Sequence, residues 1–294
     1  MRSEQEMRDL LLGVARRDER VRAVLLGGSR NNPHVPKDIF QDYDIVYVVD
    51  DIAPFRANPQ WIDVFGRRLY QQLPEEIDLT RGWPACDPES CYGYLMQFDD
   101  GNRVDLRLMT LPRCLRELRE DSLYSVLLDK EGVLPALPPP TDEPFWVKRP
   151  AAAEFAGCCN EFWWVLNNVA KGLWRRELPY ALDMLNLVVR PELVTMLSWY
   201  VGCETGFRCS VGKCGKYLEK LLPDELWQGY LRTFAPAETK ALWEATEEMC
   251  ALFDRVARQV AAALGFPYDG QEAEGSRFFL RTVRALPRDA REIL

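Results

Sequence analysis

Apolar positions change their period near the middle of the chain. In the first half, short runs alternate with a period of two, between a few helical patterns. Residues 3–18 read as an amphipathic helix, with Met7, Leu10, Leu11 and Val14 on one face and a Ser3/Glu6 capping box at its start. Val21–Leu26 is an apolar strand that ends at Gly27-Gly28-Ser29-Arg30, a turn signal. Asp42–Asp50 (DYDIVYVVD) reads as a second strand. Asn58 and Pro59 open a predicted helix with Trp61, Val64, Phe65 and Leu69 on one face. Tyr92–Phe98 and Arg103–Thr110 read as a hairpin around the turn DDGN. In its second arm Val104, Leu106 and Leu108 alternate with Arg103, Asp105 and Arg107, so Asp105 lies on the face opposite the apolar trio.

The second half is different. Residues 132–150 hold six prolines and read as an extended connector, because proline lacks an amide donor and resists helix. Beyond it, 151–174, 178–203 and 236–264 carry long helical periods. A boundary near 145 therefore separates a mixed α/β part from an all-helical part. A length of 294 residues agrees with about two domains. The stretch 265–294 supports a short packed helix and no function.

Composition narrows the choice. With 47% apolar and 28% charged residues the chain is not a disordered one. No uninterrupted apolar stretch approaches the roughly 18 residues of a membrane span, and the charged N-terminus is unlike a secretory signal. A cytoplasmic protein without a membrane partner is expected. The net charge of −8 disfavours nucleic acid, whose binding rests on neutralising phosphates, and better suits a small cationic ligand. Nine scattered cysteines without CxxC spacing read as buried or free thiols. His34 is the single histidine, in a polar loop expected to be exposed, so carboxylates or an activated nucleophile must carry any proton transfer.

One ordered set of residues carries chemistry. Gly28-Ser29 ends a strand, where a backbone without Cβ lets a ligand approach and where amides and a hydroxyl can meet phosphate oxygens. After twelve residues comes Asp42-x-Asp44 at the start of the next strand, with both carboxylates on one side. Two such oxygens suit Mg²⁺ shared with a polyphosphate. Asp105 on a later strand can complete the site. Each element alone is commonly a plain turn or a solvated strand face; the ordered combination is far more specific.

That combination resembles the nucleotidyltransferase superfamily. GGSRNNPHVPKDIFQDYDIVYVV, CYGYLMQFDDGNRVDLRL and CCNEFWWVLNNVAKGLWRRELPYALDM together resemble the aminoglycoside 6-adenylyltransferases, the streptomycin-modifying enzymes. The resemblance runs from Met1 to at least Leu222. It implies an α/β (α+β) nucleotidyltransferase domain with a mixed sheet over 1–145. An all-α helical bundle that contacts substrate and nucleotide would follow over 146–294, with the drug bound between the two. The implied reaction moves AMP from Mg-ATP to a streptomycin hydroxyl, the 6-position by resemblance, with release of pyrophosphate. Asp42, Asp44 and Asp105 match the metal-binding acids, and Asp105 is the candidate base. Related enzymes often carry glutamate at the third position, so base and metal ligand both stay open for Asp105. Gly28, Ser29 and Arg30 would face the nucleotide.

In the second half, Asn160, Trp164, Asn167, Asn168 and Lys171 share a mixed helical face next to Glu161 and Trp163. Such a face lines a ligand cleft or, for the tryptophans, simply packs in the core. Asp183 is an acid in an otherwise apolar helix. It is either a structural ion pair or, by resemblance, a contact for a guanidinium-bearing drug. VGKCGKY at 211–217 is not a P-loop, since its glycine spacing and Cys214 depart from that motif. Its lysines are ordinary surface residues at a helix start or, by resemblance, Lys213, Lys216 and Tyr217 contact the ATP phosphates. A monomer is expected. Two other readings remain: the same transfer to another aminocyclitol or a protein side chain, and a nucleotide-binding sensor without turnover. The intact set Ser29, Asp42, Asp44 and Asp105 speaks against the sensor.

Overall fold

A computed structural model describes residues 1–83 and 87–293. The chain divides into two units, Met1–Pro144 and Phe145–Leu294. The first begins with α1 (Glu4–Arg17), where Ser3 and Glu6 form the expected reciprocal cap. Met7, Leu11, Leu12, Val14 and Ala15 are buried on its inner face. Next come β1 (Val21–Leu26), the single helical turn α2 (Gly28–Asn31), β2 (Tyr43–Val49) and α3 (Ala53–Arg56). They are followed by β3 (Arg68–Gln72), α4 (Pro74–Arg81), β4 (Cys91–Phe98), β5 (Arg103–Thr110), α5 (Leu111–Glu120) and β6 (Ser125–Asp129). The six strands form one sheet in the order β3-β4-β5-β2-β1-β6. The β2–β5 pair is parallel and the others are antiparallel, so the sheet is mixed.

Strand periodicity assigns the two faces. Tyr43, Ile45, Tyr47 and Val49 of β2 and Val104, Leu106 and Leu108 of β5 enter one core with α1, Phe55, Ile62 and Phe65. Tyr47 is fully buried there, and its hydroxyl donates to the Leu11 carbonyl at 2.5 Å. Val46, Val48 and Met109 point the other way, into a smaller core with Cys114 and Tyr124. A strand sends alternate residues to opposite faces, so Asp44 and Asp105 share the side of this smaller core.

One expected helix is cut short. Pro59–Phe65 is a 3-10 helix, ended by Gly66 at φ +116, and Leu69 belongs to β3. The three-residue period buries Ile62 and Phe65 and leaves Val64 exposed, and Leu69 is exposed on an edge strand. Residues 132–142 hold no helix or strand. His34 is exposed, as expected, and its Nδ1 lies 3.0 Å from Asp142 Oδ1. No disulfide joins the eight described cysteines.

The second unit is helical: α6 (Ala152–Arg175), α7 (Leu178–Asp183), α8 (Arg190–Thr205), α9 (Leu218–Leu221), α10 (Asp224–Arg232), α11 (Thr239–Leu264) and α12 (Gln271–Ala285). Its core runs through Phe162, Leu166, Val169, Met196, Phe253 and Val256, with Phe162 stacked on Phe253 at 3.7 Å between centroids. A π-helical stretch, Met184–Val189, joins α7 to α8, so the expected helix over 178–203 is continuous but wider within. The C-terminal helix is longer than expected and packs on α6, with Ser276 Oγ donating to the Trp163 carbonyl at 2.9 Å. Among the described residues no helix is long and apolar enough to cross a membrane.

Candidate active site

Asp44 and Asp105 are register partners across the parallel β2–β5 pair. Both project from the face opposite the large core, and Asp42 precedes β2 on the same side. All three carboxylates sense one another. Burial pushes the Asp44 carboxyl up to about 6, with the charges of Asp105 and Asp42 adding to the rise. Asp42 is also raised, by burial first and by Asp105, against the pull of Arg103 and Arg30. Asp44 and Asp105 meet because β2 and β5 pair in parallel register and alternate positions of each strand share a face.

The turn after β1 closes over this cluster. The Gly27 amide donates to the Asp44 carbonyl at 2.9 Å, which fixes the turn to the start of β2. Gly28 sits at φ +63, and a Cβ there would meet Asp44 Oδ2 at 1.8 Å. Only glycine fits so close to the carboxylate. Asn31 anchors the far end of the turn: its amide donates to the Leu123 carbonyl at 2.8 Å and its Oδ1 accepts from Ser125 Oγ at 2.9 Å. Gln41 is buried and donates to the Ser29 carbonyl at 3.2 Å. Arg30 is more committed than its expected role as a nucleotide contact implies. Its guanidinium stacks 3.9 Å from the Tyr43 ring centroid, donates to the Gln41 carbonyl at 2.8 Å, and lies 3.7 Å from Glu4.

Two arginines of β5 border the acids. Arg107, half-buried, pairs with Glu117 at 2.6 Å and contacts the Tyr124 hydroxyl. Burial raises the Glu117 carboxyl, but the Arg107 charge and hydrogen bonds from Tyr124 and Arg107 outweigh it and hold the group below its ordinary value. Arg103 instead faces the site. Its Nε and Nη2 donate to the two oxygens of Asp105 at 2.8 and 2.7 Å, and Nε lies 3.4 Å from Asp42 Oδ2. Sequence reasoning placed Arg103 on the Asp105 face yet gave it no role; its position two residues before Asp105 on one strand was the available signal.

The donor set fits a hard divalent cation: clustered carboxylate oxygens, one of them pushed toward protonation by burial and by its neighbours. Among the described residues, however, no three His, Cys, Asp or Glu side chains converge on a common point as they stand. In this arrangement Arg103 occupies both Asp105 oxygens.

In the second unit, the α6 face predicted to be mixed is exposed at Asn160 and Trp164 and half-buried beyond them. Trp164 is 68% exposed while Trp163 is buried, so the two tryptophans split between surface and core. Glu161 is exposed, and Asn167, Asn168 and Lys171 are half-buried. Trp164 and Asn167 line a groove of about 390 Å³ with Asn160, Glu272, Ser276 and Phe279. Asn160 donates to Glu272 at 2.8 Å. Glu272 lies in the stretch to which the sequence assigned nothing. Asp183 is exposed at the end of α7, and no ion pair involves it among the described residues. Lys213 and Lys216 are exposed around a tight 3-10 turn, Lys213–Gly215, rather than at the start of a long helix. Neither pairs with a carboxylate among the described residues, and Lys216 Nζ lies 5.0 Å from the half-buried Tyr217 ring.

The chain matches the family described as streptomycin adenylyltransferase over residues 1–283. An aminoglycoside 6-adenylyltransferase of Bacillus subtilis (strain 168) is 40% identical over 275 residues, covering 91% of this chain and 93% of the relative. Proteins of the same name from Campylobacter jejuni and Staphylococcus aureus are 38% and 36% identical. They cover 96% and 95% of this chain, and 96% and 98% of their own lengths. A crystal structure of an aminoglycoside 6-adenyltransferase from Bacillus subtilis is 34% identical, covers 97% of this chain and 100% of its own, and superposes with a TM-score of 0.48. From the family match over residues 1–283 and the relatives from Bacillus subtilis and Campylobacter jejuni at 40% and 38% identity, the chain belongs to the streptomycin adenylyltransferase family of nucleotidyltransferase enzymes.

Proposed function

We propose that the protein transfers AMP from Mg-ATP to a hydroxyl of streptomycin, the 6-hydroxyl, and releases pyrophosphate. The observation that carries this reading is the pairing of Asp44 with Asp105 across β2 and β5, directly beneath the Gly28 turn. Family membership supplies the reaction class, and the relatives' names supply the acceptor class.

The residues divide the work. The backbone of Gly28 and the amide and hydroxyl of Ser29 receive the nucleotide's phosphates, where no Cβ obstructs their approach. Asp42, Asp44 and Asp105 would hold Mg²⁺, which when bound polarises the phosphoryl oxygens and neutralises developing charge. Asp105 accepts the proton of the acceptor hydroxyl as that oxygen bonds to the α-phosphorus. The bond from the α-phosphorus to its bridging oxygen breaks, and pyrophosphate leaves with the electron pair. A carboxylate base suits a chain whose one histidine lies in the 32–41 loop, paired with Asp142.

In the second unit, Lys213, Lys216 and Tyr217 offer donors of the kind triphosphate oxygens take. Trp164, Asn167, Asn168, Lys171, Glu161 and Asp183 offer the flat, polar and acidic contacts that a hydroxylated cation takes. The test is product analysis. Incubation with ATP, Mg²⁺ and streptomycin should give a drug carrying one AMP, and NMR should place the phosphodiester at the 6-hydroxyl. Unmodified drug would overturn the acceptor, and a phosphodiester elsewhere would overturn the position.

A further inference from the structure

The acids of the site carry more negative charge than the protein itself neutralises. Arg107 is spent on Glu117 and Tyr124, and Arg30 on Tyr43, Gln41 and Glu4. Arg103 is the arginine of β5 that turns into the cluster, and it does so with a planar fork on Asp105 and a longer contact to Asp42. A guanidinium and a divalent cation cannot both take the same Asp105 oxygens. Arg103 must therefore let go of at least one oxygen when Asp105 joins a metal. Its side chain is 43% exposed, so it has room to turn away from the strand. Once released it is a mobile cation at the edge of the site where a polyphosphate arrives.

We propose that Arg103 is an exchanging counterion: it holds the Asp105 and Asp42 carboxylates before metal binding and moves to the nucleotide's polyphosphate when these acids take up the metal. This rests on the metal reading of the three acids given above. Arg103 is thus a positioning residue before binding and a phosphate contact after it. A residue that merely fixes the Asp105 rotamer would behave oppositely, since its loss would weaken metal binding.

The experiment titrates Mn²⁺ alone into the parent, Arg103→Met, Arg103→Lys and Asp44→Asn proteins, reading free Mn²⁺ by EPR. Pyrophosphate is then titrated calorimetrically in the presence of Mn²⁺. Arg103→Met should bind Mn²⁺ roughly tenfold tighter than the parent, the effect of removing one competing charge. It should bind pyrophosphate roughly tenfold more weakly, with Arg103→Lys between the two. Circular dichroism confirms the fold of each variant. Mn²⁺ affinity equal to or below the parent's in Arg103→Met, while Asp44→Asn loses Mn²⁺, would overturn the exchange and leave the metal site standing. Unchanged pyrophosphate affinity would overturn the second half of the movement. No Mn²⁺ binding to the parent would overturn the metal reading, and the proposal with it.

Discussion

Gly28→Ala puts the site's tightest contact under stress. An added Cβ would stand 1.8 Å from Asp44 Oδ2 and 2.4 Å from its Cγ. Restoring the closest contact to a tolerable 3.0 Å requires a shift of about 1.2 Å in either the carboxylate or the turn. The left-handed φ of +63 adds about 1–2 kcal/mol for any residue with a Cβ. The turn is held at both ends, by the Gly27–Asp44 hydrogen bond and by Asn31, so the displacement falls mainly on the carboxylate. A misplacement of about 1 Å at a reacting centre costs on the order of 10²-fold in rate. The assay is kcat for ATP-dependent pyrophosphate release, with thermal unfolding measured in parallel. Gly265→Ala serves as control, because it carries the same backbone cost at φ +74 with nothing within 4 Å of its Cβ. Gly28→Ala should lose at least as much stability as Gly265→Ala, and only Gly28→Ala should lose about 10²-fold in kcat. Parent-level kcat in Gly28→Ala would refute the idea that Asp44 works where the turn holds it.

Other substitutions separate roles. Asp105→Asn should lower kcat by roughly 10²–10⁴-fold, the range for loss of a general base; a change confined to metal affinity would remove the base role. Asp183→Asn should raise the KM for the aminoglycoside more than that for ATP, and equal effects would point away from acceptor binding. Arg190 is buried and donates to Thr233 Oγ1 and its carbonyl at 2.5 and 2.9 Å and to Asn186 at 3.0 Å. Arg190→Met should therefore cost about 1–3 kcal/mol in urea unfolding, and parent-like stability would contradict this. Glu117 is held below its ordinary value, so its contribution to stability is fully present above the unfolded-state pKa of about 4.3 and is lost as pH falls through the folded value. Glu117→Gln should flatten the fall in unfolding free energy from pH 5 downward, and an unchanged slope would sink the Arg107–Glu117 account.

Much of the site was legible because strand alternation is strict. Val104, Leu106 and Leu108 against Arg103, Asp105 and Arg107 fixes which face of β5 carries the acid, and Tyr43, Ile45 and Tyr47 do the same for Asp44. The parallel pairing of β2 with β5 was not legible, because it joins strands separated by two others in sequence, and nothing local records such a partner. β3 escaped notice since an exposed edge strand has no buried face to impose alternation. The helix expected through Leu69 failed at Gly66, whose positive φ turns the chain after Phe65. The long helices of the second unit follow from their apolar periodicity. The π-helical stretch after Asp183 does not, because a change of hydrogen-bond register leaves little trace in composition. Arg103 stands two positions before Asp105 on one strand, which was the signal for that contact, whereas its reach to Asp42 depends on how the strands pair.

The most direct test of the three-acid centre is pyrophosphate release from ATP and Mg²⁺, with and without streptomycin, in the parent and in Asp42→Asn. The account predicts streptomycin-dependent release by the parent and none by a folded Asp42→Asn protein. Equal release by the two proteins would contradict it.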